Sequence, residues 1–271
     1  MRSLLDQITV PAQTVSVNRQ RGQAILTPLQ ELASVSGRFL HSPIAHSSGR
    51  SLERFVFVGQ PGGGDPINIG IFAGIHGDEP AGSHALVRFA EVLHANPELA
   101  TGYKVFFYPI CNPFGFEHGT RISQSGKDLN REFWKGSAEP EVQVLENEIH
   151  SQKFKGLISL HSDDTSDGLY GFVRGAVLTK SLLDPALAAA EQFLPRNLQN
   201  TIDGFAAHNG IISECYDGIL TSPSRLENSP FEIILETPQH APLQRQVEAM
   251  IAALKSILAE YQRFLAFAAD I

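Results

Sequence analysis

Two imidazoles and two carboxylates stand directly after three apolar runs of strand length. His76 and Glu79 lie three residues apart in the segment 71–80 (IFAGIHGDEP), His161 follows 156–160 (GLISL), and Glu236 follows 231–235 (FEIIL). Two histidines and one glutamate form a catalytic zinc set that leaves the fourth tetrahedral position open for water or substrate. A further carboxylate within reach of that position is a general base for water attack. An isolated His-x-x-Glu carries little weight, whereas three distant segments that deliver their polar residues in the same way carry far more.

The elements that must position these side chains can be read from the apolar periodicity. Runs bounded by turn residues predict strands at 54–58, 67–73, 104–110, 156–160 and 231–235. Helices are predicted at 80–93, where Pro80 sits at a first helical position, at 140–150, and after Asp184-Pro185 by the same signal. The last helix is marked by Val247, Met250, Ile251, Leu254, Ile257, Leu258, Tyr261 and Leu265, and 25–35 also reads as helical. This alternation predicts an α/β fold with a mixed, mostly parallel twisted sheet and helices on both faces, whose ligand sites lie beyond the carboxyl ends of the strands. His76, Glu79, His161 and Glu236 all fall at such ends.

Composition bounds the function classes. The 271 residues, 42% hydrophobic and 18% charged, suit a single globular domain, with 1–47 as an amino-terminal extension of no assigned role. The net charge of −8 and the scattered basic residues argue against a nucleic-acid partner, and no apolar run is long enough for a membrane span. Residues 1–13 lack the apolar stretch of a secretory signal, and Cys111 and Cys215 offer no disulfide framework. These features predict a cytoplasmic protein with both thiols buried. The glycine patch 59–64 (GQPGGG) lacks the Lys-Ser or Lys-Thr of a phosphate loop and reads as a turn.

The segment 112–134 (NPFGFEHGTRISQSGKDLNREFW) adds Asn-Pro-x-Gly, then Arg121, then Asp128-Leu129-Asn130-Arg131. With these motifs in order, the chain resembles the zinc metallocarboxypeptidase superfamily. That superfamily spans carboxypeptidase A-like and murein peptide carboxypeptidases and the related succinylglutamate desuccinylase and aspartoacylase deacylases. The resemblance runs from Ser48 to Pro238: Ser48-Gly49-Arg50 is similar to the family's first strand, His76-Gly77-Asp78-Glu79 to its first metal motif, Leu160-His161-Ser162 to its second, and Leu235-Glu236-Thr237 to its catalytic glutamate segment.

The resemblance implies one zinc ion on His76, Glu79 and His161, with Glu236 as general base. It implies that Arg121 polarises the scissile carbonyl, that Asn130 and Arg131 grip a substrate carboxylate, and that Tyr216 closes over the substrate. Arg225, in the stretch 217–234, is a candidate partner for an acidic group on the substrate. One of the loop carboxylates Asp163, Asp164 and Asp167 is expected to orient a metal-bound imidazole. The implied activity is a carboxypeptidase acting on peptides with a free carboxylate. A deacylase of N-acyl amino acids shares the same motifs and stays open, as does a non-catalytic binding module.

Overall fold

The computed structural model describes residues 12–45, 51–175, 179–223 and 229–268. The chain opens with helix α1 (Ala12–Val35) and the short strands β1 (Phe39–His41), β2 (Ile44–Ala45), β3 (Ser51–Leu52) and β4 (Phe55–Val58). The αβ units follow as β5 (Ile67–Ala73), α2 (Ala81–Ala95), β6 (Tyr103–Tyr108), α3 (Pro113–His118), α4 (Pro140–Ser151), β7 (Gly156–Asp163), β8 (Tyr170–Gly175) and α5 (Thr179–Ala190). A small meander of β9 (Thr201–Ile202), β10 (Phe205–His208) and β11 (Ile211–Ile212) precedes β12 (Phe231–Pro238) and α6 (Leu243–Ala268).

Ten strands form one mixed sheet in the order β1-β4-β6-β5-β7-β12-β8-β11-β10-β9. The central strands β6, β5, β7 and β12 run parallel, and antiparallel strands flank them on both sides. The sheet is covered on two faces, as its alternating burial requires. Ile69, Ile71, Val105, Phe107, Ile158, Leu160, Ile233 and Leu235 pack with α2, α5 and α6. Phe72, Phe106, Tyr108 and Leu157 pack on the other face against Val142, Leu145 and Ile149 of α4. Ile25 and Leu29 of α1 join the first of these cores, so the amino-terminal segment is built into the body of the fold.

Two expectations shift. The strands β7 and β12 run past the predicted ends, so His161 and Glu236 lie inside them as register partners rather than just after them. Helix α5 begins at Thr179 and runs through Pro185 instead of starting there. The buried stripe Leu182, Leu183, Ala186, Leu187 and Ala190 supplies the packing that outweighs the hydrogen bond a proline cannot donate.

Two glycines set how closely the loop after β5 approaches α3. A Cβ on Gly77 would stand 1.8 Å from the Gly115 carbonyl carbon, and Gly77 N–H donates to Thr120 O at 3.0 Å. Gly115 N–H in turn donates to Asn112 Oδ1, the helix cap, at 2.9 Å. We therefore expect Gly77→Ala to cost about 1–3 kcal/mol by overpacking. Gly64→Ala, where an added Cβ meets nothing within 4 Å, serves as the control. Comparable melting temperatures for the two variants would show that the loop yields.

Candidate metal centre

The residues after β5 turn His76 and Glu79 back over the carboxyl ends of the parallel strands, and His161 rises beside them from β7. Nδ1 of His76 lies 2.6 Å from Glu79 Oε1, and Nδ1 of His161 lies 2.9 Å from Glu79 Oε2. The ligand-type atoms of the three residues fall within 4.8 Å of one another, and the residues are only 3%, 6% and 3% exposed. Each imidazole is held from behind through its other nitrogen: His76 Nε2 by Asp128 Oδ1 at 3.1 Å, His161 Nε2 by Ser159 Oγ at 3.0 Å. Outer partners of this kind fix the tautomer and orientation of a metal-ligating histidine. Two imidazole nitrogens and a carboxylate, converging on one buried point with their far sides tied down, fit a divalent metal ion.

The electrostatics separate the carboxylates. Burial pushes the Glu79 carboxyl upward, but the His161 and His76 charges and hydrogen bonds outweigh it and hold it well below its ordinary range. Ser162 N–H at 3.1 Å and Arg121 Nη1 at 3.3 Å add donors to Glu79. Asp128 also titrates low: burial opposes ionisation, but His76 and Arg121 outweigh it. Glu236 moves the other way. Its burial, followed by the neighbouring charges of Glu79, Asp163 and Asp203, raises its proton affinity well above the usual carboxylate value.

Apart from Asp128, which stands behind His76, these groups line a cleft of about 310 Å³. The sequence-predicted residues His76, Glu79, Arg121, Asn130, Arg131, His161, Tyr216 and Glu236 all face it, whereas Arg225 lies outside the described residues, as do Ser48, Gly49 and Arg50. Arg121 is tied at Nε to Asp128 Oδ2 (3.0 Å). Asn130 Oδ1 accepts from Leu220 N–H at 2.8 Å, which leaves its Nδ2 donors for the cleft. The guanidinium of Arg131 stacks 4.2 Å from the Tyr216 ring centroid, and Tyr216 Oη donates to Asp203 Oδ1 at 2.9 Å.

The loop after His161 does not orient its imidazole. Asp163 instead accepts from Tyr170 Oη at 2.8 Å and from Thr165 N–H at 2.7 Å, and the orienting roles fall to Ser159 and Asp128. Ser159 lies two residues before His161 in β7 and so shares its face, a signal already visible in the alternation of the strand. Asp128 has no such signal, because its approach to His76 spans 52 positions. Cys111 is buried with its thiol pushed up to about 12 by desolvation, but Cys215 is only half-buried and stands in the cleft wall. Asp203 reaches the cleft from the meander, which the sequence reading did not identify.

A family model described as the succinylglutamate desuccinylase/aspartoacylase catalytic domain matches residues 67–201. Human carboxypeptidase D is 31% identical over a match covering 32% of this chain, and that match spans 8% of the human protein's length. A candidate metallopeptidase from Shewanella amazonensis shares the fold with a TM-score of 0.70 at 24% identity, over 90% of this chain and 93% of that one. A metallo-carboxypeptidase from Burkholderia cenocepacia does so with a TM-score of 0.69 at 18% identity, over 90% and 69%. One from Pseudomonas aeruginosa, solved with (2-guanidinoethylmercapto)succinic acid, reaches 0.64 at 16% identity, over 90% and 69%. At these identities the solved structures speak for the fold, which agrees with the family match and with the buried His-Glu-His group; the chain belongs to the zinc carboxypeptidase-like superfamily.

Proposed function

We propose that the protein is a zinc-dependent metallocarboxypeptidase that hydrolyses the amide bond next to a free C-terminal carboxylate. The observation that carries this reading is the convergence of His76, Glu79 and His161 on one point, with Glu236 beside them and Arg131 lining the same cleft. Held by the three side chains, zinc would supply Lewis-acid activation of a water and of the scissile carbonyl. The remaining steps belong to the chain. Glu236 takes the proton of the attacking water and passes it to the leaving nitrogen. Arg121, preset by Asp128 and Glu79, donates to the developing oxyanion. Arg131 and Asn130 receive the substrate carboxylate, and Tyr216 covers Arg131.

Hydrolysis of N-acyl amino acids is the second reading, supported by the family match over residues 67–201. The charge of the cleft favours the peptidase. Asp163, Asp164 and Asp203 line it alongside the carboxylate anchor proposed at Arg131, and would repel a second carboxylate such as the one a succinyl group carries. The two free cysteines are in keeping with a reducing, cytoplasmic setting, and no helix among the described residues is long and apolar enough to cross a membrane. We assign residues 12–268 to one catalytic domain, because α1 and β1 share its core.

The direct test is turnover by zinc-loaded protein on a panel of C-terminally free peptides and N-acyl amino acids. Release of a C-terminal residue, abolished by chelation and restored by zinc, is the expected result; cleavage confined to N-acyl amino acids transfers the protein to the deacylases.

Glu236→Gln should retain zinc and lose about 10²–10⁴-fold in kcat. It should also stabilise the metal-free protein at neutral pH. A carboxyl whose proton affinity is raised by folding contributes stability below its unfolded value near pH 4.3, and loses that contribution as pH rises through the higher folded value. An unchanged metal-free melting temperature at pH 7 would refute that electrostatic assignment. Loss of zinc would make Glu236 a ligand instead.

Arg121→Ala should lower kcat by about 10²–10³-fold. Arg131→Lys should act mainly through KM for substrates with a free carboxylate, because a lysine lacks the bidentate fork. Steady-state kinetics on amidated and free-acid versions of one peptide separate the two roles. Equal losses on both versions would remove Arg131 from the carboxylate anchor.

A further inference from the structure

We infer that Gln246, in the first turn of α6 and away from the lining of the cleft, is a positioning residue that sets the metal ligands and Glu236 relative to one another. The inference rests on the hydrolase reading above.

Gln246 is 4% exposed, and all four hydrogen-bonding positions of its amide are used. Its Oε1 accepts from Ser162 Oγ at 2.9 Å and from Thr237 Oγ1 at 3.0 Å. Its Nε2 donates to Gln239 O at 3.1 Å and to Ala241 O at 2.7 Å. Ser162 directly follows His161 in β7, and its N–H donates to Glu79 Oε2. Thr237 directly follows Glu236 in β12, and its hydroxyl lies 3.1 Å from that of Ser162.

The loop ordered by the amide nitrogen completes the connection. Gln239 N–H donates to Asp163 O at 2.8 Å, and Gln239 Nε2 donates to Asp78 O at 2.8 Å, in the loop that carries His76 and Glu79. One side-chain amide thus joins the ends of β7 and β12 and, through Gln239, the loop after β5. Buried networks of this kind hold one arrangement when every member is satisfied, and removing one member leaves the others unpaired. A pure core-filling role would predict only a loss of stability.

The test is Gln246→Leu, close to isosteric and without the four hydrogen bonds, read by zinc affinity in chelator competition, by the visible spectrum of the cobalt(II)-substituted protein, and by kcat and KM. We expect zinc affinity to fall by about tenfold or more, as for other partners behind metal ligands. The cobalt spectrum should shift, and kcat should fall while KM stays within about threefold, the pattern of a lost transition-state contact. Ser162→Ala and Thr237→Val cut single branches and serve if Gln246→Leu does not fold. The first should weaken zinc binding, and the second should lower kcat with less effect on zinc.

Combining Ser162→Ala with Gln246→Leu should cost no more zinc affinity than Gln246→Leu alone, since both remove the same link. Folded variants with unchanged zinc affinity and cobalt spectrum, lowered only in melting temperature, overturn the inference. Wild-type protein that binds zinc but cleaves no member of the panel would defeat the proposed function instead, while zinc affinity and the cobalt spectrum still decide the role of Gln246.

Discussion

The Glu79 carboxylate, almost fully buried between two imidazoles, is the constraint around which the site is built. A buried charge is costly unless each of its oxygens is matched. Here Oε1 faces His76 and Arg121, and Oε2 faces His161 and the Ser162 N–H. That requirement explains the crowding nearby. The glycine contact of Gly77 with Gly115 brings the loop close, and Asp128 braces both His76 and Arg121. A small displacement of any one of these partners would leave charge unmatched in the interior.

The same cleft holds a second glutamate in the opposite state. Glu79 is drawn toward ionisation by cations and donors, whereas Glu236 is pushed toward protonation by burial and by three carboxylates. Neighbouring carboxyls whose environments drive their proton affinities apart are suited to different roles, one as a fixed anionic ligand and one as a proton carrier. A cation held beside Glu236 would draw it back toward ionisation, so metal occupancy and the readiness of the base are linked. The cleft is also divided in charge, with Arg121 and Arg131 set against Asp163, Asp164 and Asp203. Both features follow from strand placement, since Glu236 and His161 are register partners and Tyr170 pairs across from Glu236.

Much of this is legible in the sequence. The strands β5, β7 and β12 announce themselves as short, mostly apolar runs because strands buried on both faces favour apolar side chains, with Ser159 and Glu232 as buried exceptions. The polar residues that break those runs, His76, Glu79, His161 and Glu236, stand out for the same reason. The boundaries were less legible: β7 and β12 continue through their site residues, because hydrogen bonding to a neighbouring strand extends pairing past the point where hydrophobicity ends. Pro185 marked a helix start that packing overrode.

What the sequence determined by itself was the set of donors and the edge of the sheet they occupy, since residue type and strand-end position are local properties. Tertiary structure alone decided which groups stand behind them. Asp128 reaches His76 from 52 positions away, Asp203 meets Tyr216 from the meander, and Gln246 meets Ser162 from 84 positions away, contacts that only the packing of distant segments creates. It also decided that Ser159, not the aspartates after His161, faces that imidazole, because alternation along a strand places residue i−2 on the same side as i.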